Sequence, residues 1–190
     1  MNYLKGPQRI VCLTEETTEL LYSFGEQDRI VGISSFTVRP KFARKEKPII
    51  STFLNAKIDK ILDLKPDLVI GFSDVQSSIA KELIKQGLNV WISNQRSVNE
   101  IKSFIFQLGS LVNAQKNAED LISKFEKNVL EMSRTISQWE KKPKVYFEEW
   151  DDPLICGIHW ISELIAFAGG IDIFENFSKG RKAENRIIDD

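Results

Sequence analysis

Alternation of short apolar runs with helical patterns is what most limits the folds open to this chain. "RIVCLT" (9–14), "RIVGIS" (29–34), "LVIGF" (68–72) and "NVWIS" (89–93) each suit a buried strand. "EETTELLYSFG" (15–25) places Leu20, Leu21 and Phe24 at helical spacing and stops at Gly25. Thr14 is placed to cap that helix, and Glu15 and Glu16 sit in its first turn, where the macrodipole favours negative charge. After a loop through Pro40 and Pro48, "NAKIDKILDLKPD" (55–67) reads as a short helix. Asn55 is its expected cap, Ile58, Ile61 and Leu62 its buried face, and Pro66 its stop. "QSSIAKELIKQG" (76–87) supplies a further helix. Strand–helix alternation of this kind predicts a parallel sheet covered by helices.

From Ser97 to about Lys142 the pattern changes, with no proline and no strand-like run. Leu121, Ile122, Phe125, Val129, Met132 and Ile136 follow at spacings of one, three and four. They predict one long amphipathic helix from about Gln115 to Lys141, with a shorter helix before it. Such a helix would be about 40 Å long, more than covering one small sheet requires. It reads as a rigid link between two lobes. Pro143 ends it, "KVYFEEW" (144–150) starts a new strand, and "WISELIAFAGG" (160–170) is a helix ended by paired glycines. The residues that remain are too few to finish a second α/β lobe. The expected organisation is an N-terminal α/β lobe over 1–114, a linking helix over 115–142 and an incomplete C-terminal α/β lobe over 143–190. The polar end "NRIIDD" fits a chain that stops short.

Composition removes several function classes. With 190 residues, 42% of them hydrophobic and 28% charged, the chain can bury a core. A net charge of −1 without a basic stripe disfavours nucleic acid as a partner. Cys12 and Cys156 follow no metal spacing and build no disulfide framework. "MNYLKGPQRIVCL" contains no signal-peptide h-region, and no apolar run approaches the roughly 18 residues of a membrane span. As written the protein reads as cytoplasmic, although a chain trimmed of its leader would look the same.

"RIVCLTEETTELLYSFGEQDRIVGISSF", "KIDKILDLKPDLVIGF", "NVWISNQRSVNEI" and "ISELIAFAGGIDIFENF" resemble the substrate-binding proteins that serve ABC importers of cobalamin, haem and iron-siderophores. The resemblance is closest to the cobalamin-binding branch and covers nearly the whole chain in order. It implies an α/β fold of two Rossmann-like lobes with parallel sheets, joined by one long rigid helix, with ligand held between them. Family members run on past the end of this chain, so the second lobe is expected to be truncated. The family usually works in the periplasm or at the cell surface. The resemblance also implies docking on a membrane permease through one exposed carboxylate per lobe. Asp59 matches the first-lobe position, with a shorter reach than the usual glutamate, and plain solvation of a helix face is the simpler competing reading. The second-lobe carboxylate would fall at or just after Asp190.

In doubly wound lobes ligands sit beyond the carboxyl ends of the strands. Those ends carry Thr14 to Glu16, Ser35 and Phe36, Phe72 and Ser73, Asn94 to Arg96, and Glu149 to Asp152. In relatives that bind cobalamin, aromatic residues stand where this chain has Phe36 and Phe53, and a macrocycle would rest on them. Ordinary loop packing is the competing reading for both. "EEWDDPLICG" reads as the cleft lip of the second lobe, with Trp150 as its contact residue. A metal site from His159, Cys156 and Glu148 or Glu149 is disfavoured, because strand alternation sends the two glutamates to opposite faces. Asp151 and Asp152 could form an acid–base pair, yet "DDP" is also a common turn sequence. No phosphate loop, nucleophile elbow or dinucleotide fingerprint occurs.

The expectation is a non-enzymatic protein with no intrinsic cofactor and no metal site. Its ligand would be cobalamin or another corrinoid or metal chelate, and its partner an ABC permease. The alternative is a cytoplasmic corrinoid- or chelate-binding protein for sensing or storage. The acids of "TEETTE", where relatives more often carry small residues or proline, would disfavour anionic siderophores. The basic run "SFTVRPKFARKEK" (35–47) suits either ligand phosphates or simple loop solvation.

Overall fold

The computed structural model describes residues 6–188, which fold as two compact units. The first comprises the residues up to Asn94 together with Phe104–Glu119, and the second comprises Gln95–Ser103 and the chain from Asp120 onward.

The first unit is built on five strands: β1 (Ile10–Cys12), β2 (Ile30–Ser34), β3 (Ile49–Ser51), β4 (Leu68–Phe72) and β5 (Val90–Ser93). They form one parallel sheet in the order β3-β2-β1-β4-β5. Helices α1 (Glu15–Ser23), α2 (Ala43–Glu46), α3 (Ile58–Asp63) and α4 (Ser77–Lys85) connect successive strands. Because side chains alternate across a strand, Val11 and Leu13 face one side of the sheet and Ile10 and Cys12 the other. All four are fully buried, as a sheet covered on both faces requires. Val11, Leu13 and Val69 pack with Ile50, Ile61, Ile79 and Leu83 into one core cluster.

Several sequence expectations shift here. Asn55 does not cap α3: the helix starts three residues later, with Lys57 at the N-cap, and the Asn55 carbonyl accepts the Thr52 N–H at 2.7 Å. That turn returns the chain from β3, and its geometry outranks the capping preference of Asn. Thr14 occupies the N-cap of α1 in an extended conformation but makes no capping hydrogen bond. Its hydroxyl donates instead to Glu16 Oε1 at 2.8 Å. Strand β3 and helix α2 fall within what read as loop, since three and four residues are too short to show a period.

Two helices follow, α5 (Val98–Leu111) and α6 (Gln115–Ile136). Gly109 lets them approach: a Cβ there would lie 2.5 Å from Ala118 Cβ. Helix α6 begins where the pattern placed it and spans 22 residues, about 33 Å at 1.5 Å per residue. It ends five residues before Lys141, because Gln138 and Trp139 donate to Thr135 and Ile136, tightening the last turn into three-residue spacing.

The second unit carries β6 (Lys144–Val145), β7 (Glu148–Asp151), β8 (Leu154–Cys156), α7 (His159–Phe167), β9 (Ile171–Asp172) and α8 (Glu175–Ser178). β6 and β9 pair in parallel on either side of α7 in sequence, a β–α–β crossover. The strand expected over 144–150 is two strands. Its second half turns at Asp152–Pro153 and pairs antiparallel with β8, Trp150 facing Ile155 and Asp151 facing Leu154. "DDP" is therefore a hairpin turn. Buried Arg186 ties this hairpin to the chain's last turn, gripping Glu149 with both guanidinium nitrogens at 2.5 and 2.9 Å and donating to the Cys156 carbonyl at 2.6 Å.

Candidate functional site

Parallel sheets leave their carboxyl ends to loops, and the strand order here reverses direction at β1, a geometry that opens a crevice above the strand ends. A pocket of about 310 Å³ lies over the ends of β1, β2 and β3 in the first unit, lined by Thr14, Glu15, Glu16, Ser34, Phe36 and Phe53. These residues follow β1, end or follow β2, and follow β3. Thr14, Glu15, Phe36 and Phe53 are positions singled out as ligand contacts from the sequence, Glu16 was read at the same strand end, and Ser34 completes the lining. Phe36 is 55% exposed and Phe53 37% exposed, so neither is spent on packing the loop that carries it.

The polar wall is built by α1. Glu16 is half-buried, and its carboxyl accepts the Thr14 hydroxyl. Burial raises its pKa above the ordinary carboxylate value, hydrogen bonding to the carboxylate opposes that shift, and the neighbouring Glu15 charge adds to it. At the end of β2, Ser34 Oγ accepts the Phe36 N–H at 3.2 Å and fixes the start of the loop that displays the Phe36 ring.

Beneath the lining, fully buried Gln76 holds the strand ends together. Its amide nitrogen donates to the carbonyls of Leu13 at 3.3 Å and Phe53 at 3.0 Å, and its oxygen accepts the Phe72 N–H at 3.0 Å. Gly71 makes room for this bracket, since a Cβ there would stand 2.6 Å from Gln76 Oε1. Nothing in the sequence marks Gln76, because its partners lie 63 and 23 residues away. Phe72 ends β4 half-buried and does not line the pocket.

Trp150 lies on β7 of the second unit, 60% exposed, its indole N–H donating to the Asp152 carbonyl at 3.0 Å. The residues weighed as metal ligands go separate ways. Glu149 is held by Arg186, Glu148 accepts the Tyr146 hydroxyl at 3.1 Å, His159 Nδ1 lies 3.3 Å from Ser178 Oγ, and Cys156 is buried. Among the described residues no group of three or more His, Cys, Asp or Glu converges as a metal site would. The Cys12 thiol is pushed up to about 12 by burial, far from the range of a nucleophilic thiolate. Asp59 is exposed in the first turn of α3. Asp190 lies outside the described residues. Among those described, no helix is long and apolar enough to cross a membrane.

A parallel sheet with an open pocket over its strand ends, lined in part by Phe36 and Phe53, is an α/β lobe of the doubly wound kind. The chain belongs to the periplasmic binding protein family, whose sequence profile matches residues 10–186. It is 31% identical over 156 residues to an uncharacterized ABC transporter substrate-binding lipoprotein of Bacillus subtilis (strain 168), covering 78% of this chain and 49% of that protein. It is 28% identical over 183 residues to the vitamin B12-binding protein of Vibrio campbellii, covering 94% of this chain and 65% of that one. The chain thus spans about half to two thirds of the length of these relatives. Among solved structures the fold matches a possible iron-binding (periplasmic solute-binding) protein of Staphylococcus epidermidis, with TM-score 0.78 and 23% identity over 90% of this chain and 69% of that one. It also matches the periplasmic vitamin B12 binding protein of Vibrio cholerae, with TM-score 0.73 and 23% identity over 89% and 67% of the two chains. At such identities the shared property is the fold, an α/β architecture with a central parallel sheet.

Proposed function

We propose that this protein is a ligand-capturing component of an ABC-type importer and that its ligand is cobalamin or a related corrinoid or metal chelate. The observation that carries this reading is the pocket at the strand ends, where two exposed phenylalanines share the lining with Thr14, Glu15, Glu16 and Ser34. A flat macrocycle gains mainly from apolar area removed from water, and aromatic rings offer that area with little entropy to lose. A corrin is larger than this pocket, so the pocket grips one edge of the ring. The names of the relatives, substrate-binding lipoprotein and vitamin B12-binding protein, support a transported ligand of this class. The same relatives support binding without catalysis.

Trp150 is a second candidate contact, carried on the hairpin of the other unit, and Phe72 acts beneath the site through the Gln76 bracket. Asp59 is proposed as a permease-docking carboxylate, which its exposure on α3 permits. Titration of cobalamin and cobinamide, followed by absorbance and calorimetry, tests the reading. Saturable binding is expected, weakened about tenfold to a hundredfold by Phe36→Ala or Phe53→Ala, the loss of one buried aromatic contact. Absence of saturable binding to corrinoids, haem and ferric siderophores alike would overturn it.

A further inference from the structure

A helix N-terminus pointing at a pocket is ordinarily a ready anion site, because its first N–H groups lack intrahelical partners. Helix α1 opens at this pocket, yet the chain supplies the anion itself. The Glu16 carboxyl takes the Thr14 hydroxyl, so a donor that an incoming carboxylate would seek at the helix start is already engaged. Glu15 adds a second, exposed carboxylate on the same wall.

Among the described residues, no Lys or Arg lines the pocket beside these two acids. The basic segment that follows β2 does not supply one. Arg39 donates through Nε to Glu19 at 2.8 Å and lies near enough to Glu15 for their charges to interact, while exposed Lys41, Arg44 and Lys45 and half-buried Lys47 do not line the pocket. What the wall offers a ligand is acceptor oxygen, and hydrogen bonds from neutral N–H donors to a charged acceptor are stronger than neutral pairs.

We propose that Glu15 and Glu16 set the chemical class of the ligand, so that the pocket takes a macrocycle edge bearing amides or positive charge and rejects one bearing carboxylates. This rests on the reading that the pocket is the ligand site, and deepens it from a ring shape to a ring periphery. Phe36 and Phe53 recognise the ring's apolar face, and the α1 wall reads what hangs from its rim.

The test compares two probes with the same ring: a corrinoid whose side chains are amides and its hydrolysed counterpart whose side chains are carboxylates. The amide form is expected to bind about tenfold or more tightly than the carboxylate form at neutral pH, as like charges across a short distance dictate. Glu15→Gln, at an exposed position, should narrow that ratio, and Glu15→Gln with Glu16→Gln should bring it within about threefold, chiefly by improving the carboxylate form. Equal or tighter binding of the carboxylate form by the unaltered protein would overturn the proposal, as would a ratio that both substitutions leave intact. If neither corrinoid binds but haem does, the corrinoid reading fails on its own. The comparison then passes to haem and its diamide, where preference for free haem overturns the proposal and preference for the diamide upholds it. Binding of no macrocycle or chelate would overturn both readings together.

Discussion

Glu16 is a carboxyl that the fold half-buries beside another carboxyl, and its titration leaves a signature on stability. In the unfolded chain it loses its proton near the ordinary value of 4.5, whereas in the folded chain burial makes it hold the proton to higher pH. Across that window the folded state binds more protons, so stability is fully present below 4.5 and falls as pH rises through the raised value. Glu16→Gln cannot titrate and lacks that fall. Urea denaturation between about pH 4 and 8 should therefore show the unaltered protein losing ground to Glu16→Gln as pH rises, then running parallel once both states are ionised. A difference that is flat across the range, or that grows in favour of the unaltered protein, would contradict the burial-driven shift. Thr14, Glu15 and Phe36 could be named from sequence because strand ends are legible and ligands gather beyond them, whereas Phe53, after a strand the sequence did not show, came only from the family resemblance. The state of Glu16 could not, since it depends on how deeply α1 seats against the sheet. Thr14 shows the same limit: its place at the helix start was plain, while its hydroxyl went to Glu16 rather than to the backbone.

Elements reveal a different boundary between what the residues announce and what only packing decides. β1, β2, β4 and β5 coincide with apolar runs because a strand buried on both faces must be apolar at nearly every position. β3 has only three residues after Pro48, and the β7–β8 hairpin was hidden in a run that looked like one strand. In the hairpin, the turn at Asp152–Pro153 and the Arg186 grip on Glu149 decide the pairing, and the latter spans 37 residues. Gln76 belongs to this scale as well, since it joins the ends of β1 and β4 to the loop after β3. Gln76→Leu would keep the volume approximately but leave the Leu13 and Phe53 carbonyls and the Phe72 N–H without that side-chain partner. A cost of about 1–3 kcal/mol in chemical denaturation is expected, the range for stranding buried polar groups. Because the bracket holds the Phe53 loop, ligand affinity should fall too, and Gln76→Glu, which loses the amide donors, should not restore it. Unchanged stability in Gln76→Leu would show that these loops find other partners.

At the scale of the molecule, the chain divides into two units that share two helices. Val98–Ser103 of α5 belongs to the second unit and the rest of that helix to the first, while α6 gives its opening residues to the first and continues in the second. Helix formation is cooperative along its length, so losing the packing of either half weakens the other. Gly109 against Ala118 holds the two helices together within the first unit, so each of the shared helices is anchored there before it continues into the second. The expected consequence is that neither unit unfolds alone. Tryptophan fluorescence offers a local probe, because of the four tryptophans only Trp91 lies in the first unit, the other three being Trp139, Trp150 and Trp160. In a Trp91→Phe protein the remaining fluorescence reports the second unit alone, and far-ultraviolet circular dichroism reports the whole helix content. Coincident denaturation curves from the two signals are expected, as a single cooperative transition requires. Ligand bound at the first unit's pocket should then move both curves together, by about 2.7 kcal/mol at a hundredfold excess over Kd. Separate transitions, or a ligand shift confined to one signal, would show that the shared helices do not couple the units and that each carries its own stability.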